Sequence, residues 1–343
     1  VSEAARALVG PPQPQEQEAD SMTRPLGIGF IGTGDVSILH ATAVARCPDA
    51  RLVGVWNRTV ERGRRRSAEF GCRWFESPEQ LAADPEVDAV FVLTNLETHL
   101  EFAKTAFAAG KPVLCEKPVA ASAGEVREMK RCADEAGLLC MPGHNMIYEQ
   151  GMERARELIQ RGDVGRVVSV YVLYNIYHND ERAAAYPGVV RQIMTHNLYS
   201  MMYLGGRPRR VSAFKAALNH PDPDKEDLVL ALAELESGAI AHLSASFAAD
   251  DLSADPWTFL VKVIGTAGTA RYTYQDWVEV KRGIAHSRTY TAYQGSISNE
   301  VAHFVSLVRH GGEPHSTLDD ALACQEALEG IEASIATGRS VEV

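Results

Sequence analysis

Three short constellations in this chain have residue types and spacings that could do chemistry. Gly32-Thr33-Gly34-Asp35-Val36-Ser37 follows the apolar run Ile28-Gly29-Phe30-Ile31 and opens a helical pattern. The order G-x-G-x-x-small lets bare backbone approach a pyrophosphate, which then rests on helix N-terminal N–H groups. Ser37 stands where a third glycine is usual. Farther along, the polar tip Asn57-Arg58-Thr59 closes the next apolar run, where a ribose reader belongs. A neutral amide, a guanidinium and a hydroxyl suit a 2′-phosphate better than an acid would. The expected cofactor is therefore NAD(P), with a lean to NADP; the bland alternative has Arg58 pointing into solvent.

Glu116-Lys117-Pro118 ends the run Val113-Leu114-Cys115, at the edge where ligands bind in open α/β sheets. The proline keeps the lysine extended. An ammonium there is placed to hydrogen-bond a substrate oxygen and to stabilise a developing alkoxide. Gln192 and His196 lie four apart in the expected helix Val190 to Leu204 and so share a face. Imidazole titrates near neutrality and takes a hydroxyl proton while hydride leaves the neighbouring carbon. Gln192 positions a hydroxyl or the ring but accepts no charge. Each side chain has a structural counterpart, an exposed lysine or a core histidine. Their occurrence together with the glycine turn favours chemistry.

The elements that must position these groups fall into two textures. From Leu26 to about Asn145, short apolar runs (Ile28–Ile31, Leu52–Trp56, Ala89–Leu93, Val113–Cys115, Leu138–Met141) alternate with helical segments, among them Val60 to Phe70 and Leu100 to Ala109. Ser122 with Glu125 three residues on reads as a capping box. This alternation predicts a doubly wound parallel sheet of the Rossmann type, hence an α/β fold. After Asn145 come a helix from Met152 to Gln160 and long two-period runs: Val167–Tyr174, Val211–Leu218, Leu228–Leu235, Ile240–Phe247, Trp257–Ile264 and Ala270–Val280. Glu236-Ser237-Gly238 and Gly265 to Gly268 sit where hairpin turns belong. These predict a separate α+β domain, an antiparallel sheet with few helices on it, closed by C-terminal helices; the resemblance given below implies that this sheet is large, open and mostly antiparallel. The division is 1–24 as a disordered extension, 25–145 as the dinucleotide-binding domain and 146–343 as a second domain, for which the resemblance given below implies substrate binding and oligomerisation.

Composition narrows the function classes. The chain has 343 residues and a net charge of -11, which argues against a nucleic-acid binder. The run Arg62 to Arg66 reads as a solvated helix face. No apolar stretch reaches the ~20 residues that span a bilayer. Six cysteines without C-x-x-C pairs read as reduced thiols in a cytoplasmic protein, and no metal site is expected. The Pro-broken acidic segment Pro11 to Glu18 is expected to be disordered, and Met22 is a candidate second start.

With Gly32-Thr33-Gly34, His99, Cys115-Glu116-Lys117-Pro118 and the closing Thr337-Gly338-Arg339-Ser340-Val341 in hand, the chain resembles the Gfo/Idh/MocA family of glucose–fructose oxidoreductase and inositol dehydrogenase-like enzymes. The likeness runs from about Leu26 to the C-terminus, and Gly110 to Pro118 is its most specific piece. It implies hydride transfer to or from a secondary hydroxyl or ketone of a sugar, glycoside or cyclitol. It also implies homo-oligomers, dimer or tetramer, built through the C-terminal sheet. Lys117 and His196 become the catalytic pair. Gly32, Thr33, Gly34, Asp35, Val36, Asn57, Arg58, Thr59, Thr94, His99, Glu116 and Lys117 become the cofactor contacts, and Asn145, Tyr148, Arg191 and Gln192 the substrate contacts.

Three departures from the family pattern matter. The stretch Thr94 to His99 keeps only the threonine and histidine of T-P-N-x-x-H. Asn145-Met146-Ile147-Tyr148 lacks an arginine often present. Gln192 replaces the aspartate that precedes the histidine by four. Arg191 and the stretch Tyr174 to Asn179 either form an altered pocket or are ordinary sheet and loop residues. Two further readings stand beside the dehydrogenase: a non-catalytic dinucleotide-dependent regulator, and a redox-assisted glycoside-cleaving enzyme with tightly held cofactor.

Overall fold

The computed structural model describes residues 24–184, 188–220, 222, 224–251, 257–273 and 293–343. The segment Pro11 to Glu18 and Met22 lie outside the described residues. In chain order the strands are β1 (Leu26–Ile31), β2 (Ala50–Trp56), β3 (Arg73–Trp74), β4 (Ala89–Val92), β5 (Val113–Glu116), β6 (Cys140–Gly143), β7 (Val167–Asn175), β8 (Pro208–Ala216), β9 (Leu228–Leu235), β10 (Ile240–Ser246), β11 (Thr258–Gly265), β12 (Thr269–Thr273) and β13 (Val341–Glu342). The α-helices are α1 (Val36–Arg46), α2 (Val60–Phe70), α3 (Pro78–Ala83), α4 (His99–Ala108), α5 (Ala123–Ala136), α6 (Gln150–Gln160), α7 (Asp180–Ala184), α8 (Thr195–Gly205), α9 (Gln294–His310) and α10 (Leu318–Thr337).

The first sheet is parallel, with order β3-β2-β1-β4-β5-β6. Every residue of β1, β4, β5 and β6 is buried, as a parallel sheet covered on both faces requires. The order reverses between β1 and β4, the switch point where such sheets bind ligands beyond their carboxyl ends. The turns that carry Gly32 and Lys117 both emerge at that edge.

The second sheet has the order β12-β11-β7-β10-β9-β8-β13. It is mostly antiparallel, but β7 and β10 pair in parallel, so it is a mixed sheet. Buried and exposed residues alternate along β7, β8 and β9, so one face packs on helices and the other is open. The open face is apolar, with Tyr171, Leu173, Phe214, Leu230, Leu232 and Ile240 exposed. Helix α9 leaves this half and returns to the first: Phe304 meets Phe91 edge-on at 5.4 Å, and the Gln294 amide donates to the Leu39 carbonyl at 3.1 Å.

Several local expectations need correction. The helix predicted over Val190 to Leu204 is interrupted: Val190–Met194 is a π-helical turn that leads into α8. At α5 the Ser122 hydroxyl accepts the Glu125 N–H, but Glu125 reaches Ala121 N instead of Ser122 N, so only half the capping box forms. The reciprocal box stands at Thr317 and Asp320. Strand β8 begins and ends earlier than Val211–Leu218. The Asp227 carboxylate takes the N–H groups of Leu218, Asn219 and His220, which removes them from the ladder. The two-residue β3 and short α3 were not expected. Of the run Ala270–Val280, residues 274–280 lie outside the described residues.

Candidate active site

A cavity of about 430 Å³ opens where the edge of the first sheet faces the second half of the chain. From the first half it receives Val36, Leu39, Thr94, His99, Glu116 and Lys117, and from the second Asn145, Tyr174, His178, Arg191, Gln192 and His196. A second cavity of about 380 Å³ adjoins it through Thr94 and Asn95 and runs past Gly32, Thr33, Gly34, Asn57, Arg58, Thr59 and Arg62.

The second cavity fits a dinucleotide. Gly32 has φ +105°, and a Cβ there would fall 2.6 Å from the Leu93 carbonyl oxygen, so only glycine turns the chain this closely. A Cβ on Gly34 would meet nothing within 4 Å; its absence leaves room for a phosphate against bare backbone. Asp35 gives α1 no side-chain cap, which leaves the helix end to an anion. Ser37 fills the third small position and folds its hydroxyl back on the Gly34 carbonyl at 2.6 Å. The Asn57 carboxamide accepts the Thr33 N–H at 3.1 Å and donates to Thr59 O at 3.0 Å, binding the ribose-side tip to the glycine turn. Arg62 is exposed, as expected of a solvated helix face, and it also lines this cavity.

At the floor of the first cavity Glu116 is held twice. His40 Nε2 pairs with one carboxylate oxygen at 2.9 Å, and the Lys117 backbone N–H donates to the other at 3.0 Å. Burial alone would raise the Glu116 carboxyl. The His40 bond and the nearby charges of His40 and Lys117 outweigh it and hold the group below the usual carboxylate range. The Lys117–Pro118 bond is cis. Burial pushes the Lys117 amine below its ordinary value, partly offset by Glu116. Among the described residues no hydrogen-bond or ion-pair partner meets its ammonium, which leaves it to a ligand. Across the cavity, His196 is buried at 5% exposure with its ring 5.6 Å from that of Tyr174. The Tyr174 and Tyr293 hydroxyls bond to each other.

The remaining expected residues divide. Asn145 lines the cavity, with its amide N–H donating to Ser296 Oγ at 2.9 Å, so its carbonyl oxygen is left for a ligand. Gln192 lines the same cavity as His196 despite the π-helical turn. Val36 forms wall, and Asp35 is exposed. Thr94 stands between the two cavities, its hydroxyl accepting from Thr98 at 2.9 Å. Both nitrogens of His99 face carbonyls, Pro118 O at 2.9 Å and Thr94 O at 3.1 Å. Burial lowers its pKa, and the neutral ring has one N–H to donate to one of these two loop carbonyls.

Arg191 lines the cavity, but its guanidinium is committed to Glu332 and to the Ala121 carbonyl. Tyr148 lies outside the cavity lining. It is 1% exposed, with its hydroxyl directed at Met141 Sδ and its ring beside His303 and His315. The stretch Tyr174 to Asn179 supplies Tyr174, Ile176 and His178 to the wall. Tyr293 and Ile297, also on the wall, were missed; nothing local in the sequence distinguishes them from core residues.

Among the described residues no group of three His, Cys, Asp or Glu side chains could hold a metal, and no helix is long and apolar enough to cross a membrane.

Residues 26–144 match the model of an oxidoreductase family with an NAD-binding Rossmann fold, GFO/IDH/MocA, and residues 152–271 match the GFO/IDH/MocA C-terminal domain. The chain is 30% identical over 228 residues to the 1,5-anhydro-D-fructose reductase of Ensifer adhaerens, covering 64% of this chain and 68% of that one. It is 25% identical over 333 residues to the inositol 2-dehydrogenase of Rhizobium meliloti, covering 92% and 98%. The crystal structure of GenD2 from gentamicin A biosynthesis, in complex with NAD, superposes with a TM-score of 0.82 at 27% identity, covering 98% and 99%.

Proposed function

This chain belongs to the Gfo/Idh/MocA oxidoreductase family, and from that premise we propose that it transfers hydride between NAD(P) and a secondary hydroxyl or ketone of a sugar, glycoside or cyclitol. The observation that carries this reading is that Lys117, from the edge of the first sheet, and His196, from α8, line one cavity beside the groove of Gly32 and Gly34. We take residues 25–145 as the nucleotide domain and 146–343 as the substrate and assembly domain, with the apolar open face of the second sheet joining copies of the chain.

Gly32, Thr33 and Gly34 would hold the pyrophosphate, and Asn57 with Thr59 the ribose. Arg58 and Arg62 supply two guanidinium groups at the ribose end, which favours NADP(H). When bound, the nicotinamide supplies the hydride acceptor or donor. In the oxidative direction the Lys117 ammonium hydrogen-bonds the carbinol oxygen and stabilises the alkoxide charge as it grows. His196 accepts the hydroxyl proton, and in the reductive direction it returns it. Asn145 and Gln192 orient the remaining hydroxyls. Gln192 offers both a donor and an acceptor but no charge, so polyol binding here rests on neutral hydrogen bonds.

The test is turnover: absorbance at 340 nm with each nucleotide against a panel of cyclitols, aldoses and glycosides. A regulator would bind nucleotide and give no change with any member. A redox-assisted glycosidase would cleave glycosides with no net change in absorbance and would retain nucleotide through purification.

A further inference from the structure

Behind the Lys117 ammonium sits a hydrogen-bonded pair, His40 and Glu116, that the proposed chemistry does not use. His40 lies on α1, one residue past Leu39 of the cavity wall and 76 residues from Glu116 in sequence. Its ring is wholly buried and wedged edge-on between Phe30, at 6.4 Å, and Phe91, at 5.6 Å. Such packing leaves the imidazole little freedom to leave its 2.9 Å contact with Glu116. The other Glu116 oxygen holds the Lys117 backbone. Thus the carboxylate whose charge acts on the Lys117 amine is oriented from one side by a ring held between two phenylalanines and from the other by the Lys117 backbone.

The other titratable groups around this pair include His99, Glu300 and His144, and burial pushes each toward its neutral form. Glu300 of α9 is wholly buried, with neither carboxyl oxygen partnered among the described residues. Burial, and then the charge of Glu116, push its carboxyl well above the ordinary carboxylate range, which favours the protonated form. His144, at the end of β6, stacks on Tyr199 with ring centroids 3.6 Å apart. It is kept well below its ordinary pKa by burial and then by Lys117, so it too is neutral.

We propose that His40 is a positioning residue for Lys117, acting through Glu116: its ring holds the carboxylate where it both fixes the lysine backbone and faces the ammonium as counter-charge. Without the His40 donor, a buried Glu116 loses the bond that favours its ionised form. A neutral Glu116 no longer favours the ammonium, and Lys117 deprotonates at lower pH. The role in catalysis rests on the reading of Lys117 as the group that meets substrate; the coupling itself does not.

Competitive labelling of the intact protein with acetic anhydride, read by mass spectrometry of the Lys117 peptide across pH, measures this coupling without any substrate. His40→Gln keeps an N–H donor, and His40→Met removes it at similar volume. The expected result is that the pH at which Lys117 becomes reactive falls by about one unit in His40→Met, a tenfold gain in reactivity at fixed pH, with His40→Gln close to the parent protein. Glu116→Gln, which keeps the shape and loses the charge, should lower the onset at least as far, and it serves if His40→Met does not fold. An unchanged onset in a folded His40→Met, or in Glu116→Gln, overturns the proposal. Loss of the function reading shows separately, as full turnover in Lys117→Ala.

Discussion

Arg191 grips Glu332 through both arms of its guanidinium fork, at 2.6 and 2.7 Å, while its third donor takes the Ala121 carbonyl at 2.8 Å. One side chain therefore joins the π-helical turn before α8, the C-terminal helix α10 and the loop that leads into α5. The family resemblance implies that Arg191 is a substrate contact. The geometry makes it a clamp that holds the two halves of the chain around the cavity.

Arg191→Met should accordingly cost stability more than affinity. A bidentate pair whose carboxylate is more than a third exposed contributes about 1–2 kcal/mol after solvent screening. The expected outcome is a lower Tm, with the substrate KM changed less than about threefold. Substitution of Glu332 by Gln should lower Tm similarly, and the double variant less than the sum of the two. A tenfold rise in KM without loss of Tm would return Arg191 to the substrate.

Arg58 and Arg62 both line the groove that passes Gly34 and Asn57. If they receive a 2′-phosphate, Arg58→Ala and Arg62→Ala should each weaken NADPH by about tenfold, roughly one charge-assisted contact, and leave NADH within about twofold. Fluorescence titration of both nucleotides reads the difference. Equal weakening of both nucleotides would show that the arginines do not discriminate.

Glu149 gives the clearest pH dependence. Burial, with some repulsion from Glu153, raises its carboxyl from 4.5 to about 7, against opposing bonds from Tyr272 and Ser296. The folded state therefore holds its proton more tightly than the unfolded chain. The stability linked to that proton is present in full below about pH 4.5 and is lost as pH rises through about 7. Glu149→Gln should thus be more stable than the parent at pH 8 by up to about 3 kcal/mol, less what solvent screens, with the gap closing near pH 4.5. Parallel gaps in Tm across that range would show that Glu149 does not titrate this way.

Much of the first half was legible in the sequence because its strands are short apolar runs and its turns carry glycines at fixed places. Helix α2 fell on Val60–Phe70 as expected, closed by the left-handed Gly71. Gln192 and His196 were found through helical spacing and do share a cavity, although the π-helical turn alters the phase between them. Tyr148 is a substrate contact only by the resemblance of Asn145-Met146-Ile147-Tyr148 to the family stretch; the 3-10 turn Asn145–Tyr148 sends Asn145 to the cavity and Tyr148 toward His303. Tyr293, Ile297 and the His40–Glu116 pair are products of tertiary packing. The pair's members lie 76 residues apart, and no local pattern announces that they meet.

The central claim is that Lys117 and His196 act on one carbinol beside the nucleotide. Initial rates at 340 nm, measured with the cyclitol and sugar panel for the parent protein, Lys117→Ala and His196→Ala alongside nucleotide binding, test it most directly. The account predicts turnover of at least one member by the parent, a fall in kcat of about 10²–10⁴-fold in each variant, and nucleotide affinity within about twofold. Tight nucleotide binding with no turnover of any member, or a variant that keeps near-parent kcat, would contradict it.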